Sequence, residues 1–191
     1  MKRFIVASAS PRRKELLEKV GFSFEIIPSD ADESTDGSLP PDGLVVELAK
    51  RKAESVFKEN TDAVVLGCDT VVEYGGTVLG KPSDRSAAVN MLRMLSGKTH
   101  NVHTGVCITD KEKTVSFVNT VKVEFYELSE ELIERYVASG ESDDKAGAYG
   151  IQGLGCVLVR KIEGDYFSVV GLPVAETIRA LWSFGIENNM K

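Results

Sequence analysis

The chain has 191 residues, 42% of them hydrophobic, enough for one well-filled core, and predicts a single domain over residues 1–191. Its 23 basic and 29 acidic side chains leave a formal net charge of −6, which excludes sequence-independent nucleic-acid binding in the absence of a large basic patch. Three widely spaced cysteines, Cys68, Cys107 and Cys156, fit neither a disulfide framework nor a zinc-ligand spacing and point to a reducing cytoplasm, and no apolar stretch approaches the roughly 20 residues of a membrane span.

The start, Met1-Lys2-Arg3, precedes an apolar run too short for a signal peptide, and Phe4–Ala7 has the β-branched density of a buried strand. Ser10-Pro11 supplies an N-cap and a first-turn proline for a helix carrying Leu16, Leu17 and Val20. Phe24–Pro28 reads as another strand, followed by an acidic polar loop over Ser29–Ser38 that ends at Pro40-Pro41. From about Asp42 to Lys58, Val45, Leu48, Ala49, Ala53 and Val56 recur at helical spacing. Ala63–Leu66 is a short buried strand leading into Gly67-Cys68-Asp69-Thr70, and Val71–Glu73 and Val78-Leu79 flank Gly75-Gly76 as a hairpin.

Ser83 or Asp84 can cap a helix that turns Ala88, Met91, Leu92 and Leu95 inward and closes at Gly97. Two long strands follow, one alternating through Val102, Thr104, Val106 and Ile108, the other through Val115, Phe117, Val121, Val123 and Phe125, about a turn at Asp110–Lys113. Ser129–Ser139 reads as a helix ended by Gly140, Gly155–Ile162 and Tyr166–Val170 as a hairpin around Gly164, and Pro173–Phe184 as a final helix. Helices mixed with buried and alternating strands define an α/β protein with a mixed sheet.

Several side chains stand where chemistry could use them. Ser8-Ala9-Ser10-Pro11-Arg12-Arg13 joins a strand to a helix, so the amides of the first helical turn form an anion site beside two guanidinium groups. At about 100° per residue, Arg13 falls between Leu16, Leu17 and Val20 on the inward face, whereas Arg12 lies at its edge. The alternative is an ordinary basic helix start that reaches back to solvent. Lys52 sits mid-stripe among Leu48, Ala49, Ala53 and Val56, with Lys50 and Arg51 off the stripe; it needs a partner, either a carboxylate of the protein or a phosphate of a ligand. Asp69, at the end of an apolar strand, can accept a proton from water, hold a divalent cation, or merely cap the next turn. Asp30, Asp32, Glu33 and Asp36 can supply a second carboxylate for such a cation, or form a solvated loop.

Gly75–Lys81 has the glycine and lysine spacing of a P-loop, but Pro82 stands where a magnesium-binding hydroxyl belongs and the context is a hairpin. His100 and His103, three apart on a strand, face opposite sides and make poor co-ligands. No G-x-S-x-G elbow, supported Cys/His pair or G-x-G-x-x-G fingerprint is present, which argues against serine and thiol hydrolases and nicotinamide enzymes. Asp144–Gly153 is glycine-rich with Tyr149 and Gln152, suited either to a close-fitting loop around a flat polar ring or to a surface connector.

Ser8-x-Ser10-Pro11-Arg12-Arg13, Gly67-Cys68-Asp69-Thr70, Gly80-Lys81-Pro82, Ser96-Gly97, Asp144–Gly153, Gly164-Asp165-Tyr166 and Gly171-Leu172-Pro173 together resemble the Maf family of nucleoside triphosphate pyrophosphatases, in order and across nearly the whole chain. The resemblance implies an inosine triphosphate pyrophosphatase-like α/β fold: an elongated mixed sheet with flanking helices and two lobes around a cleft. It implies Asp69 as the proton acceptor, Glu33 and Asp69 as carboxylates for a divalent cation, magnesium or manganese, and Ser8, Arg13, Lys52 and Lys81 as phosphate-binding residues. Arg12, Thr70 and Gln152 are similar to the branch acting on dTTP and UTP; Cys68 departs from the small Ala or Ser expected before the aspartate. A nucleoside triphosphate is then the expected partner, in the cytoplasm, with no nucleic acid or membrane, and homodimer formation stays open. A competing reading is a non-catalytic nucleotide sensor that regulates septum formation.

Overall fold

A computed structural model describes residues 2–35 and 37–189; Asp36 of the acidic loop lies outside the described residues. Among the described residues seven strands form one mixed sheet: β1 (Arg3–Val6), β2 (Glu25–Ile26), β3 (Ala63–Tyr74), β4 (Thr77–Leu79), β5 (Thr99–Thr109), β6 (Thr114–Phe125) and β7 (Val159–Glu163), in the order β2-β1-β3-β5-β6-β7 with β4 on β3. β1 runs parallel to β2 and β3, while β3–β4 and β6–β7 are antiparallel. Among the described residues six α-helices accompany them: α1 (Pro11–Lys19), α2 (Pro41–Glu59), α3 (Arg85–Leu95), α4 (Glu130–Ala138), α5 (Tyr166–Val170) and α6 (Val174–Ser183). The mixed α/β class expected from the sequence is what the chain adopts.

The chain divides into two compact units, one up to Asp69 with Thr104–Asn119 and the segment from Gly171 onward, the other comprising Thr70–His103 and Thr120–Val170. The boundary falls inside β3, between Asp69 and Thr70.

In the first unit, α2 lies on β1, β3 and β5 through Ala49, Ala53 and Val56 against Ile5, Val65 and Cys107. Two glycines set how close it comes. A Cβ on Gly67 would stand 2.1 Å from the Ala49 carbonyl oxygen, and one on Gly105 would stand 2.3 Å from that of Val45. Only residues without a side chain permit this approach of helix backbone to sheet. Side chains alternate along a strand, so Asp69 shares the face of Gly67 and points toward α2, while Thr70 points away.

In the second unit, α3 and α4 bury Leu92, Leu95, Ile133 and Val137 with Val121, Val123 and Phe125 of β6. Asp84 accepts the Ala87 N–H at 2.8 Å and Ser129 that of Leu132 at 3.2 Å, so both helices start where their capping side chains dictate. Gly97 and Gly140 follow with positive φ, as the sequence suggests for helix ends.

Several expectations need correction. β3 is one continuous strand rather than a short strand, a turn and a second strand: its first half pairs with β1 and its second with β4, so Asp69 sits in mid-strand and caps no turn. Tyr166–Val170 is helical, because Asp165 accepts the Phe167 N–H at 2.9 Å and the Ser168 hydroxyl at 3.2 Å and so starts a helix. The partner of Val159–Glu163 is β6, and Gly153–Val157 forms a 3-10 turn. Finally, the Phe24–Pro28 strand shrinks to two residues, and Ser10, although at the N-cap position, makes no capping hydrogen bond; its N–H instead donates to the Ser8 hydroxyl at 3.3 Å.

Candidate active site

The close approach of α2 to Gly67 brings Lys52 over Asp69. The Lys52 ammonium donates to Oδ1 of Asp69 at 2.6 Å and lies 3.0 Å from Oε1 of Glu33. Lys52 and Asp69 keep only 13% and 12% of their side-chain surface, whereas Glu33 keeps 60%. One ammonium thus gathers a buried carboxylate and an exposed one, and the partner that the mid-stripe lysine required is here the protein's own.

Arg51, which lies off the apolar stripe and attracts no attention in the sequence, secures the loop bearing Glu33. Its Nη1 donates to the carbonyls of Asp32 at 3.3 Å and Ser34 at 2.9 Å, on either side of Glu33, while Nε pairs with Glu47 at 2.9 Å. The Asp32 carboxylate in turn accepts the Ser34 N–H and hydroxyl, which holds its pKa below the usual range. The signal for Arg51 in the sequence is only its place beside Lys52.

Arg13 turns inward, as helical phase predicts. Nη1 donates to the Ser8 hydroxyl oxygen at 2.9 Å and Nε to the carbonyl of Gly171 at 2.9 Å. The same carbonyl accepts the Cys68 thiol at 3.2 Å. Complete burial pushes that thiol's pKa up, against the pull of Arg13, so Cys68 stays protonated and acts as a small donor rather than a nucleophile. Ser8 is buried and Arg12 half-buried.

The first unit therefore assembles Ser8, Arg13, Glu33, Lys52 and Asp69. Lys81 and Gln152 belong to the second unit, as does Thr70, which follows Asp69 along β3. Lys81 is exposed and Gln152 half-buried. The glycine-rich segment is anchored rather than a loose connector: the Gly147 N–H donates to the Gly80 carbonyl at 3.0 Å, and the buried Tyr149 hydroxyl lies 2.7 Å from Nε2 of His100. His103 meets Thr120 through Nδ1 at 2.9 Å, so the histidines serve separate contacts.

The family described as Maf-like protein matches residues 3–184, nearly the whole chain. The chain belongs to the Maf family. It is 52% identical over 187 residues to a protein of Bacillus anthracis (strain CDC 684 / NRRL 3495) named dTTP/UTP pyrophosphatase, covering 98% of both chains. A protein of the same name from Bacillus thuringiensis subsp. konkukian (strain 97-27) is 52% identical over 98% of both chains. One from Bacillus cereus (strain ATCC 10987 / NRS 248) is 51% identical over 98% of this chain and 92% of its own length.

The oxygen donors of this Maf protein suit a hard cation of the magnesium class. Among the described residues no three His, Cys, Asp or Glu side chains converge as a metal cage. Two carboxylates do converge on one positive charge, the Lys52 ammonium, and magnesium characteristically takes one or two carboxylates and completes its shell with water and phosphate oxygens. Glu33 and Asp69 fit that donor set.

Proposed function

We propose that this member of the Maf family hydrolyses dTTP and UTP to the monophosphate and pyrophosphate, with Asp69 as the proton acceptor. The observation carrying the reading is the Lys52–Asp69 contact of 2.6 Å with Glu33 beside it: a nearly buried carboxylate with one oxygen engaged by a cation. The names of the Maf relatives, at 51–52% identity over nearly their full length, support the substrate class. The inosine triphosphate pyrophosphatase-like fold is part of the same proposal, as is one Maf domain spanning both compact units.

A divalent cation held by Glu33 and Asp69 would supply neutralisation of the triphosphate charge. Lys52 holds Oδ1 of Asp69, so Oδ2 is the atom that takes a proton from water. The water oxygen bonds to the α-phosphorus, the bond from that phosphorus to the bridging α–β oxygen breaks, and pyrophosphate leaves with the electron pair. Ser8, Arg13, Lys52 and Lys81 bind phosphate oxygens. Arg12, Thr70 and Gln152 select the base, so Arg13 matters for every substrate and Arg12 for the choice among them. Three free cysteines accord with work in the cytoplasm.

The test is pyrophosphate release from a panel of nucleoside triphosphates with magnesium, for wild type and Asp69→Asn. Release from dTTP and UTP that the variant loses is expected. Equal activity in the variant, or orthophosphate as first product, overturns the mechanism; nucleotide binding without turnover favours the regulator.

A further inference from the structure

Glu141 lies just beyond α4 and its carboxylate receives three hydrogen bonds. Oε1 accepts the Tyr136 hydroxyl at 3.2 Å and the Gly155 N–H at 3.0 Å, and Oε2 accepts the Leu154 N–H at 2.8 Å. The Tyr136 hydroxyl oxygen accepts the Gly150 N–H at 3.1 Å. Donors on both sides of Gln152 therefore end on one carboxylate, directly or through one hydroxyl.

The backbone is closed tightly around that carboxylate. A Cβ on Gly153, whose φ is +62°, would stand 2.6 Å from Oε2 of Glu141, and one on Gly155 would stand 2.0 Å from the Gly150 carbonyl oxygen. Gly150 and Gly155 thus touch backbone to backbone, with Gln152 at the tip between them. Apolar packing anchors this segment on one side of Gln152 only: Ile151 is buried, whereas Leu154 and Val157 are 58% and 54% exposed. Beyond Gln152, charge-assisted hydrogen bonds from the Leu154 and Gly155 amides to Glu141 hold the backbone instead.

We propose that Glu141 is a positioning residue for base selection, fixing Gln152 through the Leu154, Gly155 and Tyr136–Gly150 hydrogen bonds. The inference rests on the role proposed above for Gln152 and extends it. Uracil and thymine present a carbonyl acceptor beside an N–H donor where cytosine presents an amino donor beside a bare ring nitrogen. An amide side chain distinguishes these edges only when its oxygen and nitrogen are held in one place.

The experiment is steady-state hydrolysis of UTP, dTTP and CTP by the full chain as wild type, Glu141→Gln, Tyr136→Phe, Gln152→Ala and the Glu141→Gln/Gln152→Ala double variant. Glu141→Gln replaces one acceptor oxygen by a donor facing the loop amides, and is expected to lower the preference for UTP over CTP by about tenfold, carried by KM rather than kcat. Tyr136→Phe removes only the relay to Gly150 and shifts the preference less, in the same direction. The double variant should be no less selective than Gln152→Ala alone, because both changes remove one interaction. An unchanged preference in a folded Glu141→Gln, or losses that multiply in the double variant, overturns the proposal; if Glu141→Gln does not fold, Tyr136→Phe decides in the same way. A wild type that hydrolyses neither UTP nor dTTP removes the proposed function together with this inference, whereas an active wild type with unmoved selectivity in the variants removes only the role of Glu141.

Discussion

Lys52 Nζ lies 2.6 Å from Oδ1 of Asp69, an ion pair between the middle of a helix's apolar stripe and the middle of a strand. The two groups meet because Gly67, two residues before Asp69 on the same strand face, lets the helix backbone descend onto the sheet. Helix packing, charge pairing and the proposed proton transfer thus share one contact.

Removing either partner should have separable effects. Asp69→Asn abolishes turnover but leaves Lys52 paired with Glu33 at 3.0 Å, so its melting temperature should fall little. Lys52→Met strands the nearly buried Asp69 carboxylate and should cost about 3 kcal/mol of stability as well as about a hundredfold in kcat/KM. Denaturant unfolding alongside pyrophosphate release checks the order; an Asp69→Asn protein less stable than Lys52→Met contradicts it.

Arg51→Met should act on the Glu33 loop without unfolding the chain. The lost contacts are the hydrogen bonds to the carbonyls of Asp32 and Ser34 and the half-exposed ion pair with Glu47, at a largely solvated site. Stability should therefore stay within about 1 kcal/mol, while the magnesium concentration for half-maximal activity rises about tenfold. Magnesium titrations of activity at fixed dTTP provide the measurement.

Gly67→Ala tests the approach of α2. The added methyl would meet the Ala49 carbonyl oxygen at 2.1 Å and the Ala53 nitrogen at 2.7 Å, both backbone atoms that cannot swing aside. A loss of about 3 kcal/mol is expected, with activity falling as Lys52 is pushed from Asp69. Gly80→Ala, where nothing lies within 4 Å of the new carbon, serves as the neutral control in the same unfolding series.

His100 makes the second unit sensitive to acid. Burial lowers its pKa from an ordinary 6.5 to about 4, against the opposing pull of Glu73. Between those values the unfolded chain binds a proton that the folded chain refuses, so stability is complete above about pH 6.5 and declines as pH falls toward 4. The difference amounts to on the order of 3 kcal/mol at the acid end. His100→Gln keeps a polar group facing Tyr149 but cannot titrate, and it should lose less stability than wild type between pH 7 and 4.5. Parallel slopes in denaturant melts at the two pH values would count against this.

Much of the fold was legible in the chain itself. The one-sided alternation of β6, the β3–β4 hairpin at Gly75-Gly76 and the caps Asp84 and Ser129 follow from local rules, since periodicity and capping depend on near neighbours. Tyr166–Val170 reads as a strand in the sequence because its apolar residues suit either strand or helix, and only the Asp165 cap distinguishes them. In the site, Arg13, Lys52 and Asp69 stood out by position, whereas Arg51 and Glu141 are ordinary surface charges until their backbone partners are known.

Sequence alone determined the helical phase that turns Arg13 and Lys52 inward, because 3.6 residues per turn is a property of the local backbone. The Maf motifs in the same sequence supplied the family. Tertiary structure alone decided which oxygen each of these cations meets and whether Gly67 ends a strand or admits a helix. Those outcomes depend on atoms of other elements, Asp69 and Glu33 for Lys52, Ser8 and Gly171 for Arg13, Ala49 and Ala53 for Gly67, and no spacing along the chain encodes such distances.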